Sequence, residues 1–245
     1  SVLPVCVLLG GSVGAVVSFN SNALWLRSPA EVAAEALEQI AAGDFKALKF
    51  RMGRERLSDD LATAQALRDT LDDNIELMVD FNQGMDMAEA LSRCHAIDDL
   101  DLVWIEEPII YNDFGGYAKL ASELKTPLQI GENFYGVQDM YKALDANACD
   151  LVMPDFMRIG GVTGWLQAAG LAAAANIPMS THLYPEVAAH VMRVTRTAHL
   201  LEWQDWAEAV LAEPYQVVKG ELEIPDSPGL GLDWDEEAVA RYQIE

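Results

Sequence analysis

Two kinds of hydrophobic pattern alternate along this chain. Short runs of continuous apolar residues predict strands at 15–20, 45–52, 75–80, 102–106, 128–132, 150–154 and 177–181, with a shorter one near 199–202. Between them apolar residues recur every three or four positions, which predicts helices over 29–42, 56–71, 85–97, 116–124, 136–146, 162–175 and 185–194. Ser28 before Pro29 supplies a cap and a first helical position for the earliest of these helices, and Gly43 supplies its stop. Eight strands separated by helical spacing imply right-handed crossovers and closure into an α/β fold of the (β/α)8 type, a TIM barrel. At 245 residues the chain has the length such a barrel occupies, and no internal stretch reads as a linker to a second domain. Residues 15–213 are therefore assigned to the barrel. Residues 214–245, with Pro225, Pro228 and several glycines, are expected to wrap it as irregular structure.

The strand ends carry the chemistry. Residues 103–108 read V-W-I-E-E-P, an apolar strand that stops in two adjacent carboxylates, Glu106 and Glu107, before Pro108 ends the pairing. Asp80 closes the preceding strand and Glu132 the following one, each at the same distance along the chain from Glu106. That distance is the length of one βα unit, so the three acids would stand side by side at the edge where parallel sheets build their active sites. Three converging anionic groups cannot all stay ionised without a cation. All-oxygen ligation suits a hard divalent ion such as Mg²⁺, one per subunit.

Later strands also end in reactive groups, Asp155, His182 and Glu202, again about one βα unit apart. On the second strand Lys49 and Arg51 lie two apart, so the pleat points both the same way, into the barrel if Phe50 faces the helices. Without metal chemistry the three acids would be helix caps or loop carboxylates, and the two cations their structural ion-pair partners. Equal spacing after apolar strands favours the metal. Strand alternation turns Glu107 away from Glu106 and leaves it a neighbouring carboxylate. His95, His190 and His199 lack an acid partner at a strand end and are assigned structural roles.

Composition narrows the partners. With 39 acidic against 16 basic residues the net charge is −23, which repels nucleic acid and anionic membranes and requires local cations to draw in an anionic substrate. No stretch approaches the ~20 apolar residues of a membrane span. Cys6, Cys94 and Cys149 are odd in number, without metal-binding spacing, and read as reduced core thiols of a cytoplasmic protein. The stretch from Ser1 to Leu26 holds no charged side chain. Glycines at 10, 11 and 14 interrupt this run and no basic segment precedes it, so buried core followed by the first strand is expected rather than a signal segment.

Taken in order, K-x-R at 49–51, D-x-N at 80–82, I-E-E-P at 105–108, G-E-N at 131–133, P-D-x-x-x-I-G-G-V-T-G-W at 154–165, S-T-H at 180–182 and L-E-W at 201–203 resemble the enolase superfamily. More narrowly they are similar to its mandelate racemase subgroup, which includes acid-sugar dehydratases. The resemblance spans essentially the whole chain and implies the superfamily's modified barrel, with Mg²⁺ on Asp80, Glu106 and Glu132. It implies His182 as a general base held by Asp155, with Lys49 and Arg51 on the opposite face of the substrate. Glu202 would lie near the substrate carboxylate as a hydrogen-bonding acid, and Asn82 would touch substrate or metal-bound water. The implied reaction is abstraction of the α-proton of a 2-hydroxy carboxylate, an acid sugar, to give an enolate. Such a dianion forms only against concentrated positive charge, so the physical chemistry asks for the same groups. The muconate-lactonizing subgroup ranks lower because it ends the sixth strand in lysine, where this chain has Asp155. The expected partner is a small carboxylate, and a homo-oligomer is expected.

Two departures shape the expectation. The subgroup usually carries a lysine where Arg51 stands, and a guanidinium with a pKa above about 12 is a poor proton acceptor. Racemisation needs a base on each face, whereas elimination can use His182 alone, so dehydration to a 2-keto acid is placed ahead of a racemase or epimerase. A non-catalytic barrel is the reading from another class. Second, the family's N-terminal capping domain is expected to be missing or to lie outside this chain, with residues 1–14, including L-L-G-G at 8–11, as the junction that follows it.

Overall fold

A computed structural model describes residues 2–243. The elements run α1 (Val5–Leu8), β1 (Ala15–Asn20), α2 (Pro29–Ala41), β2 (Ala47–Arg51), α3 (Leu57–Thr70), β3 (Glu76–Asp80), α4 (Met87–Ile97), β4 (Leu102–Glu106) and α5 (Phe114–Glu123). They continue with β5 (Leu128–Ile130), α6 (Val137–Asp145), β6 (Leu151–Val152), α7 (Gly161–Ala175), α8 (Pro185–Met192), β7 (Leu201–Trp203), β8 (Val217–Val218), β9 (Glu221–Glu223) and α9 (Glu236–Tyr242). Strands β1 to β6 pair in chain order and in parallel, and β7 returns to β1. The start of α2 is a capping box: Ser28 Oγ accepts from Glu31 N, and the Glu31 carboxylate accepts from Ser28 N at 3.0 Å.

Register sets the site. Arg51 pairs with Asp80, Asp80 with Glu106, and Glu106 with Gln129, so one row across four strands carries the polar ends. Alternate residues build two cores. Phe19, Ala47, Met78, Trp104, Leu151 and Leu200 fill the barrel interior, while Leu48, Phe50, Leu77, Val79 and Ile105 pack outward under the helices. Phe50 faces the helices as expected, and Lys49 and Arg51 point inward.

Three expectations are corrected. The predicted strand at 177–181 forms isolated bridges in place of a ladder, with Met179 bridging Val152 on one side and Ala198 on the other. Pro178 has no N–H to give, so it contributes only its carbonyl, accepting from Val152 N at 3.1 Å. The ring still closes, because Met179 N donates to Thr197 O at 2.8 Å and Ser180 N to Val152 O at 2.8 Å. The tail is more regular than expected: β8 and β9 form a hairpin whose turn, Lys219-Gly220, has φ of 55° and 75°. That hairpin pairs antiparallel with the first half of β1, at Ala15 to Val17, and leaves Ser18 to Asn20 for β7. Finally, the apolar start is only partly core. Cys6 on α1 is buried, but Leu8 on the same one-turn helix is exposed because so short a helix buries one face, and Val2 and Leu3 ahead of it are exposed too.

The cysteines are buried and unpaired, and burial pushes the Cys94 and Cys149 thiols up to about 12, which leaves them unreactive. Among the described residues no helix is long and apolar enough to cross a membrane.

His190 joins the chain's two ends. Its Nδ1 accepts from Cys6 N at 3.2 Å, and its Nε2 lies 3.1 Å from the Tyr215 hydroxyl, which itself donates to Leu230 O. The ring is therefore neutral with its proton on Nε2, and burial holds its pKa below the ordinary histidine value. An imidazole depressed in the folded state adds stability that is complete above about pH 6.5 and is lost as the pH falls toward its folded value. His190→Gln should thus cost about 1–2 kcal/mol near pH 8 and progressively less toward about pH 5, measured by urea unfolding of both proteins. A pH-independent difference would refute the tether.

Candidate active site at the mouth of the barrel

Asp80 and Glu106 end neighbouring strands, fully buried, with the inward orientation of Met78 and Trp104 two residues before each. Glu132 needs a different device, since strict alternation from the buried Gln129 would turn it outward. Gly131, at φ 135°, reverses the chain there. A Cβ at that position would lie 2.9 Å from the Phe134 ring and 3.0 Å from Met153 N. The result brings one carboxylate oxygen from each of Asp80, Glu106 and Glu132 within 4.8 Å of the others.

Lys49 is the counter-charge beneath them. Its Nζ lies 2.7 Å from Glu106 Oε1, 3.0 Å from Glu202 Oε1 and 3.7 Å from Asp80 Oδ2. Burial opposes the ammonium, but the three carboxylates outweigh it and raise its pKa. Burial likewise opposes ionisation of Glu202, yet Lys49 and then His182 bring it down to about 2. Glu202 accordingly stands as a carboxylate acceptor, taking a hydrogen bond from Leu183 N at 2.8 Å. Glu106 is held at both oxygens, by Lys49 and by Trp104 Nε1 at 3.0 Å. Burial and then Asp80 raise its pKa well above the usual carboxylate value. Arg51 Nη1 stands 3.2 Å from Asp80 Oδ2. Asn82 clamps Asp80 through its backbone N–H at 2.7 Å and its side-chain amide at 3.0 Å.

Across this cluster His182 Nδ1 meets Asp155 Oδ2 at 2.8 Å, on a parallel bridge between those two residues. Burial disfavours the Asp155 carboxylate, but hydrogen bonds from His182 and from Arg158 N hold its pKa below the ordinary value. An ionised Asp155 makes Nδ1 the donor and turns the Nε2 lone pair toward the acids, 3.4 Å from Glu132 Oε2.

The residues spacing alone did not bring forward are Asn133, Arg158, Trp104 and the true place of Glu107. Asn133 Nδ2 bridges Glu107 Oε2 at 2.9 Å and Glu132 Oε1 at 3.1 Å, and Arg158 Nη1 donates to Glu132 O at 2.8 Å. Glu107 leaves the strand with φ 36° and is buried, and burial with Glu132 and Asp80 nearby pushes it up to about 8. Trp104 could have been anticipated: two residues before Glu106, it shares its face. The three oxygen donors fit a hard divalent cation, since the carboxylates of buried Asp80, Glu106 and Glu202 and of partly buried Glu132 outnumber the cations of Lys49 and Arg51.

A closed parallel barrel with three carboxylates and a His–Asp pair at its mouth defines the class, and known proteins refine it. The family profile described as Enolase C-terminal domain-like matches residues 31–238, and the chain belongs to that family, in the mandelate racemase subgroup of the enolase superfamily. It is 29% identical over 242 residues to L-talarate/galactarate dehydratase of Salmonella typhimurium, covering 99% of this chain and 61% of that protein. An enolase from the alpha proteobacterium bal199 with bound Mg superposes with a TM-score of 0.96 at 63% identity, covering 98% of this chain and 67% of the other. A Bradyrhizobium enolase complexed with magnesium and mandelic acid gives 0.92 at 42% identity, covering 99% and 66%. The chain thus spans about three fifths to two thirds of the length of these relatives.

Trp104 fixes one oxygen of Glu106, a member of the acid triad that could hold a metal ion. Trp104→Phe keeps the ring and its edge contact with Phe19 but removes the N–H. Mg²⁺ affinity by calorimetry should fall about 10–100-fold; unchanged affinity would remove Trp104 from the site.

Proposed function

We propose that this chain is the catalytic barrel of a Mg²⁺-dependent enzyme that takes the α-proton from an acid sugar, a 2-hydroxy carboxylate, and dehydrates it to a 2-keto acid. The observation that carries this reading is the His182–Asp155 pair turned toward the acid triad, with Nε2 3.4 Å from Glu132 Oε2. Asp80, Glu106 and Glu132 would hold the ion, which when bound supplies Lewis-acid charge to the substrate carboxylate as negative charge builds there.

His182 Nε2 accepts the proton from the carbon beside the carboxylate, and the C–H electron pair moves toward that carboxylate as an enolate. When the pair returns, the bond from the next carbon to its hydroxyl oxygen breaks. That oxygen takes the proton back from His182 and leaves as water, and the enol left behind tautomerises to the 2-keto acid. Asp155 orients the ring and stabilises the imidazolium between the two transfers. Glu202 keeps Lys49 in place at the floor of the site.

Lys49 is tied into three carboxylates and a guanidinium is a poor proton acceptor, so among the described site residues His182 is the competent base. One base suffices for elimination and not for two-sided racemisation. The Salmonella dehydratase relative supports the same choice. A racemase or epimerase is the second reading, favoured by the mandelic acid held in the Bradyrhizobium neighbour, because mandelic acid has no β-hydroxyl to lose. We further propose a cytoplasmic homo-oligomer acting on small carboxylates. The net charge of −23 supports the exclusion of nucleic acid and membrane.

With Mg²⁺ and a panel of mono- and diacid sugars, the full chain should release a 2-keto acid detectable with a carbonyl reagent. His182→Asn should reduce the rate about 10²–10⁴-fold. Deuterium exchange at the α-carbon without elimination would favour the racemase instead. Binding with neither product nor exchange would leave a non-catalytic barrel.

A further inference from the structure

Arg51, on which the one-base reading turns, sits in unusual surroundings. Its guanidinium carbon lies 5.1 Å from the centroid of the Trp25 ring, a cation–π contact. Nη1 meets Asp80 as an ion pair, but among the described residues neither Nη1 nor Nε has a hydrogen-bond partner, although both are sealed from solvent. The side chain as a whole keeps 9% exposure. Buried donors are nearly always paired, and the planar guanidinium fork matches carboxylate and hydroxyl oxygens.

Trp25 is presented by backbone that its surroundings must enforce. It follows Ala23 (φ 55°) and Leu24 (φ 52°), two consecutive left-handed residues without the freedom of glycine. Leu24 is fully buried, and its carbonyl accepts from Arg51 N at 3.1 Å, which stitches this loop to the strand that carries Arg51. Arg54 adds a second stitch, donating to Arg27 O at 2.8 Å and Trp25 O at 3.5 Å. Arg54 is itself fixed by the buried Asp60 at 3.1 Å, which Arg93 grips from the other side at 3.0 Å. This scaffold ends in an indole that is 52% exposed and covers Arg51 rather than the core.

Resting on the proposed α-proton chemistry, we propose that Trp25 is a positioning residue that holds the Arg51 guanidinium as a fixed donor for a carboxylate or hydroxyl oxygen of the substrate, on the face opposite His182. A lysine at position 51 would be a mobile point charge and a base. The stacked arginine is neither, and it selects substrates that carry further oxygens over those with an apolar tail.

The test compares Trp25→Ala, Trp25→Phe, Arg51→Gln and the Trp25→Ala/Arg51→Gln double variant in the full chain with Mg²⁺. Trp25→Ala should raise KM for the best acid sugar about tenfold with kcat changed less than about threefold, and Trp25→Phe should stay within about threefold of the starting KM. In the Arg51→Gln background the loss of Trp25 should add nothing. Equal losses of Tm and kcat in both backgrounds would overturn the proposal. A second readout needs no substrate: phenylglyoxal should modify Arg51 several-fold faster in Trp25→Ala than in the unaltered protein or Trp25→Phe, by peptide mass spectrometry. Equal labelling rates would overturn the positioning role. Faster labelling in a protein that turns over no acid sugar would sink the dehydratase reading and the substrate half of the proposal, yet support the hold of Trp25 on Arg51.

Discussion

One buried ammonium makes the rest of the site possible. Lys49 lies within 3.7 Å of Asp80, Glu106 and Glu202, all above an apolar cluster of Phe19, Ala47, Met78, Trp104, Leu151 and Leu200 in the barrel interior. Charges in such surroundings are tolerated only when paired, and removing one partner of a buried pair typically costs about 3–5 kcal/mol. The parallel register makes the pairing possible, because Arg51, Asp80 and Glu106 fall opposite one another and their side chains rise from one level. A slip of one residue in any of these strands would send the charges into the helix shell.

The two faces of the site are built on opposite principles. On one face Asp155 leaves His182 a lone pair to use, and nothing else competes for Nε2 except the acids it faces. On the other, Lys49 and Arg51 are locked by ion pairs and bring charge without proton traffic. In the proposed chemistry that asymmetry, more than the acid triad, separates elimination from exchange on both faces.

Much of this architecture follows from local pattern. The strand runs, the Ser28-Pro29 cap, the inward pair Lys49 and Arg51, and the even spacing of Asp80, Glu106 and Glu132 are all visible in residue order, because alternation and βα length are local rules. What escapes has a non-local cause. The inward turn of Glu132 depends on Gly131 closing against Phe134 and Met153, and the charged state of Glu202, on β7, depends on Lys49, far back along the chain on β2. The β8–β9 hairpin escapes because its short strands gain order only from β1, and the Asn82 clamp because a hydrogen bond two residues back leaves no periodic trace.

The bridged segment between β6 and β7 separates the site into parts of different stiffness. Asp80 and Glu106 end β3 and β4, which pair in a ladder interrupted by one register shift between Leu77 and Val79, whereas His182 rides on a stretch joined by isolated bridges at Met179 and at His182 itself. His182 is thereby mounted on a seam of isolated bridges and separate backbone hydrogen bonds rather than on a strand ladder. In the proposed chemistry that mounting gives the imidazole room to serve both the carbon that loses a proton and the oxygen that gains one, while Asp80 and Glu106 stay anchored at their strand ends.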